Sequence, residues 1–279
     1  MILDSHCHVW ARWPYAPPVP DPESRASPAR LLHEMDQHGV ARAVLIAAGI
    51  GDNADNNEFV AATAAAHPGR FIPFADIDSR WTPTYRQPGA VARLAQAADR
   101  WDLAGITHYL DEADDGAWML GDEGRRFFAL AAARRLIVSL SIVPSQMAAV
   151  SALAEAHPRL RIWCHHLGFL GPRTAATADG PRQVLAAARH PNIAMKISGF
   201  GNVAAPGMEY PYPELAWIVG ALHAVYGPWR LSWGSDDPVS RRHMTYRQSL
   251  DMLRRHCRLP EESIAIILGP SFERALAER

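Results

Sequence analysis

Two histidines one residue apart, His6 and His8, follow an apolar start in the run Met1-Ile2-Leu3-Asp4-Ser5-His6-Cys7-His8. An apolar run leading into His-x-His reads as a first β-strand whose end carries two imidazoles. Alternate side chains of a strand share a face, so His6 and His8 point one way and Cys7 the other. Two convergent imidazoles can hold one metal ion, or serve as an acid–base and carboxylate-binding pair. Taken alone, the pair is equally two ordinary strand-end histidines. Other polar groups fall at comparable places. His108 and Tyr109, His165 and His166, Lys196, and Asp236 and Asp237 each lie on or close a hydrophobic run.

Those runs alternate with amphipathic stretches along the whole chain. Strands are expected at Ile2–His8, Ala43–Ala47, Phe71–Ile77, Gly105–Leu110, Ile137–Val143, Leu160–His166, Ile193–Ser198 and Arg230–Asp236. Helices are expected near Asn56–His67, Gly89–Trp101, Asp122–Arg135, through His157, and near Pro213–Tyr226 and His243–Cys257. Eight strands separated by helix-sized segments imply a closed parallel (β/α)8 barrel, an α/β TIM barrel. A doubly wound sheet would offer a glycine-rich phosphate loop after its first strand, and none follows here. The spacing predicts one domain over residues 1–279, with 258–279 as a C-terminal helical closure. In such a barrel the strand C-termini face one mouth, so the scattered polar groups would meet there. The segment Trp10–Pro28, with its aromatics and six prolines, reads as an ordered loop at that same end.

Composition narrows the function classes. The chain has 279 residues, 48% of them hydrophobic, with 28 basic against 29 acidic residues. A net charge of -1 offers no broad field for nucleic acid or a membrane surface. The partner it suits is a small-molecule substrate, and a homo-oligomer is compatible with it. Three widely spaced cysteines, Cys7, Cys164 and Cys257, give no disulfide framework and no cysteine-based zinc motif. With no signal peptide at the start and no apolar run of transmembrane length, a cytoplasmic location is expected.

The chain resembles the amidohydrolase superfamily, in its amidohydrolase-related branch of lactonases and relatives. The motifs are Asp4-Ser5-His6-Cys7-His8, His166-Leu167-Gly168, Met195-Lys196-Ile197-Ser198-Gly199 and Trp233-Gly234-Ser235-Asp236-Asp237-Pro238. The resemblance implies a distorted barrel with hydrolytic chemistry at the strand C-termini. It implies that His6 and His8 match a pair that binds a divalent metal, and that His166 is the strand-six histidine. Asp236 matches the strand-eight aspartate, which binds metal or acts as acid and base. Strand five departs from the pattern. It offers Ser139 and Ser141 where relatives place a lysine or a histidine, which disfavours two metals and weakens the likeness to decarboxylases. Gly269-Pro270-Ser271-Phe272 stands where relatives often start a helix with asparagine-alanine, and reads as a structural variation.

The expected activity is opening of a small lactone or related cyclic ester, one bearing a carboxylate. Asp236 is the expected general base and acid, and the electrophile is His166 or one divalent ion. His6, His8 and Asp236 would supply three ligands, which suits zinc, with His166 as an additional ligand. The branch includes metal-independent members, so both routes stay open. The alternatives are a mononuclear metal-dependent, non-oxidative decarboxylase of an aromatic or unsaturated acid, and a catalytically inactive barrel that only binds. Lys196 reads equally as a carboxylate contact or as a buried lysine paired within the barrel. Of Tyr109 and His108, alternation lets only one face inward as a substrate contact. Arg12 and Arg25 could fork onto an anionic substrate or stand as solvent-facing ion pairs. His165 is expected to face away from the mouth if His166 faces it, and Asp237 to be a turn residue.

Overall fold

The computed structural model describes residues 1–16, 18–172 and 179–279. Pro17, one of the six prolines in the first loop, lies outside the described residues. The chain begins β1 (Ile2–Cys7), α1 (Pro28–His38), β2 (Val40–Ile46), α2 (Asn56–Ala66), β3 (Phe71–Asp76), α3 (Ala90–Arg100) and β4 (Gly105–Tyr109). It continues α4 (Asp122–Ala133), β5 (Ile137–Ser141), α5 (Met147–Ala156), β6 (Ile162–Cys164), α6 (Gly180–Ala186) and β7 (Ile193–Ile197). The last elements are α7 (Phe200–Val203), α8 (Ala216–Tyr226), β8 (Leu231–Trp233), α9 (Tyr246–Asp251), α10 (Glu261–Ile267) and α11 (Pro270–Ala277). All eight strands run parallel in the order β1 to β8. The ends of the sheet meet through a parallel bridge between Cys7 and Asp237. Hydrogen bonds from Asp236 N to His6 O (2.8 Å) and from His8 N to Asp237 O (2.7 Å) continue that seam. This is a TIM barrel.

Strand alternation divides the core in two. Ile72 and Phe74 of β3, Ile137 of β5, Trp163 of β6 and Ala194 of β7 pack inside the barrel. Phe71, Ala75, Val138, Leu140, Cys164 and Met195 pack outward with the helices. Strand β1 breaks the rule. Leu3 packs inside and Cys7 outside, and a register irregularity lies between Asp4 and Cys7. An extra residue in a strand shifts the side chains beyond it to the other face. That shift aims His6 and His8 inward beside Leu3.

Helices α1 and α6 belong to the alternation but have no counterpart in the sequence reading. The ends of α1 are locally encoded. Ser27 accepts from Arg30 N, Pro28 occupies the first turn, and Gly39 closes the helix at φ 68°. Strands β6 and β8 are three residues each, shorter than expected, because the chain turns sharply at His166 and Asp236. At the other end of the barrel, α11 inserts Phe272 against Trp163 (4.8 Å between ring centres) and Phe74 (6.3 Å). Among the described residues no helix is long and apolar enough to cross a membrane.

Candidate active site

Asp236 sits at the centre of the mouth. Its Oδ1 lies 3.4 Å from His8 Nε2, 3.6 Å from His6 Nε2 and 3.9 Å from His166 Nε2. Its Oδ2 accepts from Asn202 Nδ2 at 2.9 Å. Burial alone would push this carboxyl up. The imidazoles of His166 and His8 that face it, together with the hydrogen bond from Asn202, hold it below the usual carboxylate range. It is therefore ionised at neutral pH. The backbone that carries these groups is unusual. Asp236 has φ 57° and His166 φ 45°, a left-handed region where residues other than glycine are strained.

The histidines are oriented from behind. His8 Nδ1 donates to Ile46 O at 2.7 Å, which aims Nε2 at Asp236. His166 Nδ1 is 3.0 Å from Ser198 Oγ. Burial depresses His166 to about 4, so its imidazole is neutral at pH 7. His6 is also depressed, by burial first and then by Lys196 and the other histidines. Its Nδ1 lies 3.2 Å from Lys196 Nζ, and its Nε2 is buried with no hydrogen-bond partner. A neutral lysine amine can accept from His6 Nδ1–H and free Nε2 as a lone pair. An ammonium would force that proton onto Nε2.

Lys196 itself is fully buried, and burial lowers it to about 7. It donates to Ser139 Oγ at 2.7 Å, and that hydroxyl meets His165 Nε2 at 2.7 Å. The strand-five serine thus links Lys196 to His165 rather than holding a ligand. Of the two sequence readings of Lys196, the geometry favours the buried one, since its amine is committed to His6 and Ser139 beneath the mouth.

Three expectations need correction. His165 does not face away: its ring centre is 4.4 Å from that of His6. It continues the alternation Trp163-in, Cys164-out, while the left-handed turn at His166 swings the next imidazole inward too. His108 is not at the mouth. As an outward residue of β4 it donates from Nδ1 to Ile77 O and stacks on Trp118. Tyr109 takes the inward position, 5.2 Å from His165, and its hydroxyl makes no well-formed hydrogen bond. Arg12 and Arg25 do not join the cluster either. Arg12 is exposed, and Arg25 lies 5.5 Å over Trp13. Their loop still reaches the site. Trp10 stacks on His8 at 4.8 Å, and the phenol of Tyr15 is pushed up by burial and by Asp236. The arginine packed on Tyr15 is Arg242, at 4.8 Å.

Residues to which the sequence reading gave no role also shape the site. Asp4 accepts from His6 N (3.1 Å), Ser235 N (2.9 Å) and Tyr246 Oη (3.0 Å), pinning the seam between β1 and β8. Asp76, inward at the end of β3, accepts from Ser79 Oγ and from Gly49 N, and burial raises it to about 7. Its signal was the alternation through Ile72 and Phe74. Asn202 follows Gly199 (φ 60°), a position where a methyl group would meet His166 Nδ1 at 2.4 Å.

The donors suit one divalent ion. His6, His8 and Asp236 each offer a ligand atom within 4.8 Å of the others, and all three are buried. Donors on a tetrahedral ion bound at ~2.0–2.1 Å are separated by roughly 3.3–3.4 Å, close to the spacing around Asp236 Oδ1. The orphaned His6 Nε2 lacks any other partner. A second set, His6, His165 and His166, shares His6 and contains no acid. The ionised carboxylate favours the first set for a dication.

A family model described as amidohydrolase matches residues 3–269. An L-fucono-1,5-lactonase from Burkholderia ambifaria is 27% identical over 255 residues, covering 86% of this chain and 81% of that protein. An amidohydrolase from Burkholderia multivorans, solved with bound zinc, superposes with a TM-score of 0.81 at 22% identity, covering 99% of both chains. A 2,6-dihydroxybenzoate decarboxylase, solved with 2,6-dihydroxybenzoate, superposes with a TM-score of 0.71 at 16% identity, again covering 99% of both.

Proposed function

From the premise that the chain belongs to the amidohydrolase family, we propose that this enzyme opens a small lactone. The observation that carries the reading is the ionised Asp236 carboxylate, ringed by three imidazole Nε2 atoms at a barrel mouth. An ion held by His6, His8 and Asp236, zinc in our reading, would polarise the lactone carbonyl. The protein's own groups do the rest. Asp236, held on Oδ2 by Asn202, accepts a proton from the attacking water and returns it to the leaving ring oxygen. With Ser198 donating to its Nδ1, neutral His166 keeps its proton on Nε2 and donates a hydrogen bond to the developing oxyanion. Trp10 and Tyr15 cover the reacting groups. A carboxylate on the substrate would meet Arg242 at the rim beside Tyr15. The lactonase relative supports this substrate class.

Release of carbon dioxide from an aromatic or unsaturated acid is the second reading, and the shared decarboxylase fold favours it. Against it stands Ser139, which is occupied by Lys196 and His165. The test is Asp236→Asn. Turnover of a responsive lactone should fall by roughly 10²–10⁴-fold, the usual scale for loss of a general base, with the circular dichroism spectrum unchanged. Turnover within about threefold of the parent would remove Asp236 as the base.

A further inference from the structure

At the end of the barrel opposite the histidines, where the strands begin, lies a cavity of about 900 Å³. Six arginines line it: Arg135, Arg159, Arg161, Arg230, Arg274 and Arg279. Among the described residues, Glu278 is the one acidic side chain in the lining. The chain as a whole carries a net charge of -1, so this concentration of positive charge is local. Topology gathers it. Arg135, Arg161 and Arg230 immediately precede or lie just ahead of β5, β6 and β8, while Arg274 and Arg279 come from α11 and the residues after it.

Some of these cations are committed. Arg274 pairs with Glu278 at 2.6 Å, Arg161 donates to the Glu278 carbonyl, and Arg230 Nη1 serves the carbonyls of Ala188 (2.9 Å) and His190 (3.0 Å). Among the described residues, the side chains of Arg135 and Arg159 form no ion pair or hydrogen bond. A second observation points to a ligand. Ser271 lines the cavity at 1% exposure, and its hydroxyl is buried with no partner. A buried hydroxyl left unpaired is costly unless something arrives to meet it. At the rim, the half-exposed ring of Trp229 lies 5.5 Å from the Arg274 guanidinium and offers a flat face.

We propose that this cavity binds a small organic anion carrying two or more carboxylate or phosphate groups. Its volume falls in the range of small-molecule sites. Guanidinium groups recognise carboxylate and phosphate through paired N–H donors, and low-dielectric walls concentrate their field. Arg135 and Arg159 supply uncommitted donors, Ser271 supplies a hydroxyl, and Trp229 receives the planar part of the ligand. The site is a strand length, roughly 15 Å or more, from Asp236, so it is separate from the catalytic mouth.

The test uses the full chain, with benzene-1,3,5-tricarboxylate and inorganic phosphate as probes, titrated calorimetrically at constant ionic strength with chloride as the control. Saturable one-site binding is expected for at least one probe and not for chloride. The double substitution Arg135→Gln/Arg159→Gln removes two exposed side chains, so the fold and the lactone turnover without probe should be unchanged. It should weaken binding at least tenfold, and Ser271→Ala should weaken it as well. No saturable binding by either probe would overturn the proposal. So would binding that the double substitution weakens less than threefold, which would place the anion elsewhere, including at the catalytic mouth.

Discussion

Asp236 Oδ1 is the atom on which the site converges, and its neighbours determine what it can do. The Nε2 atoms of His6 and His8 sit too far away for short hydrogen bonds and at a spacing that fits a shared ion. Elemental analysis of protein purified without chelator should therefore find no more than one equivalent of divalent metal per chain. His8→Ala should lose that ion while keeping its secondary structure. Two equivalents coupled to activity would contradict the single-ion reading. Full activity after verified metal removal would transfer the electrophilic role to His166. His6, His8, His166 and Asp236 were legible in the sequence because each closes a hydrophobic run. The orientation of His165 was not. Pairing it opposite His166 assumed regular strand geometry, whereas the positive φ at His166 turns both rings inward. Asp76 was passed over, although alternation carries it to the inward face after Ile72 and Phe74. The arginines of the first loop could not be placed from sequence, because a loop's path sets which of its side chains turn inward.

Elements hold these atoms where the strands end. The irregularity in β1 aims the histidine pair, and Asp4 ties that strand to the backbone of β8. Glycines leave room for the imidazoles. At Gly234 an added methyl would meet His6 Cβ at 2.6 Å, and at Gly199 it would meet the ring of His166. Gly199 also has a positive φ, so Gly199→Ala combines a clash with backbone strain of about 1 kcal/mol or more. We expect this variant to lose at least tenfold in kcat/KM while remaining folded, because the displaced ring is His166. Unchanged kinetics would show that the His166 position does not matter to turnover. The eight strands were legible to within a few residues. Helix α1 was missed although Ser27-Pro28 and Gly39 bracket it, and the short lengths of β6 and β8 were missed because the left-handed turns at His166 and Asp236 carry no glycine to mark them.

At the scale of the whole molecule, the barrel buries a set of histidines in neutral form. His108 and His166 are lowered by burial from an ordinary 6.5 to about 4. Between those values the unfolded chain binds protons that the folded chain refuses. Their contribution to stability is therefore present above pH 6.5 and is lost as pH falls toward 4, on the order of 3 kcal/mol for each group. Because the raised Asp76 carboxyl acts in the opposite sense over part of that window, the histidine share is read by comparison: denaturant midpoints measured from pH 7.5 to 4.5 should fall further with falling pH in the parent than in His108→Gln, which can keep the bond to Ile77 O. An identical slope in the variant would show that His108 does not contribute to it. The fold class was readable because alternating hydrophobic periods survive along the full chain, whereas the reaction depends on contacts between residues far apart in sequence. The most direct test of the account is therefore the reaction itself: the metal-replete protein offered a panel of small lactones and of aromatic and unsaturated acids, with products identified. Ring opening is expected, read as one proton and one new carboxylate per turnover with no carbon dioxide. Release of carbon dioxide from an acid, with every lactone left intact, would contradict it.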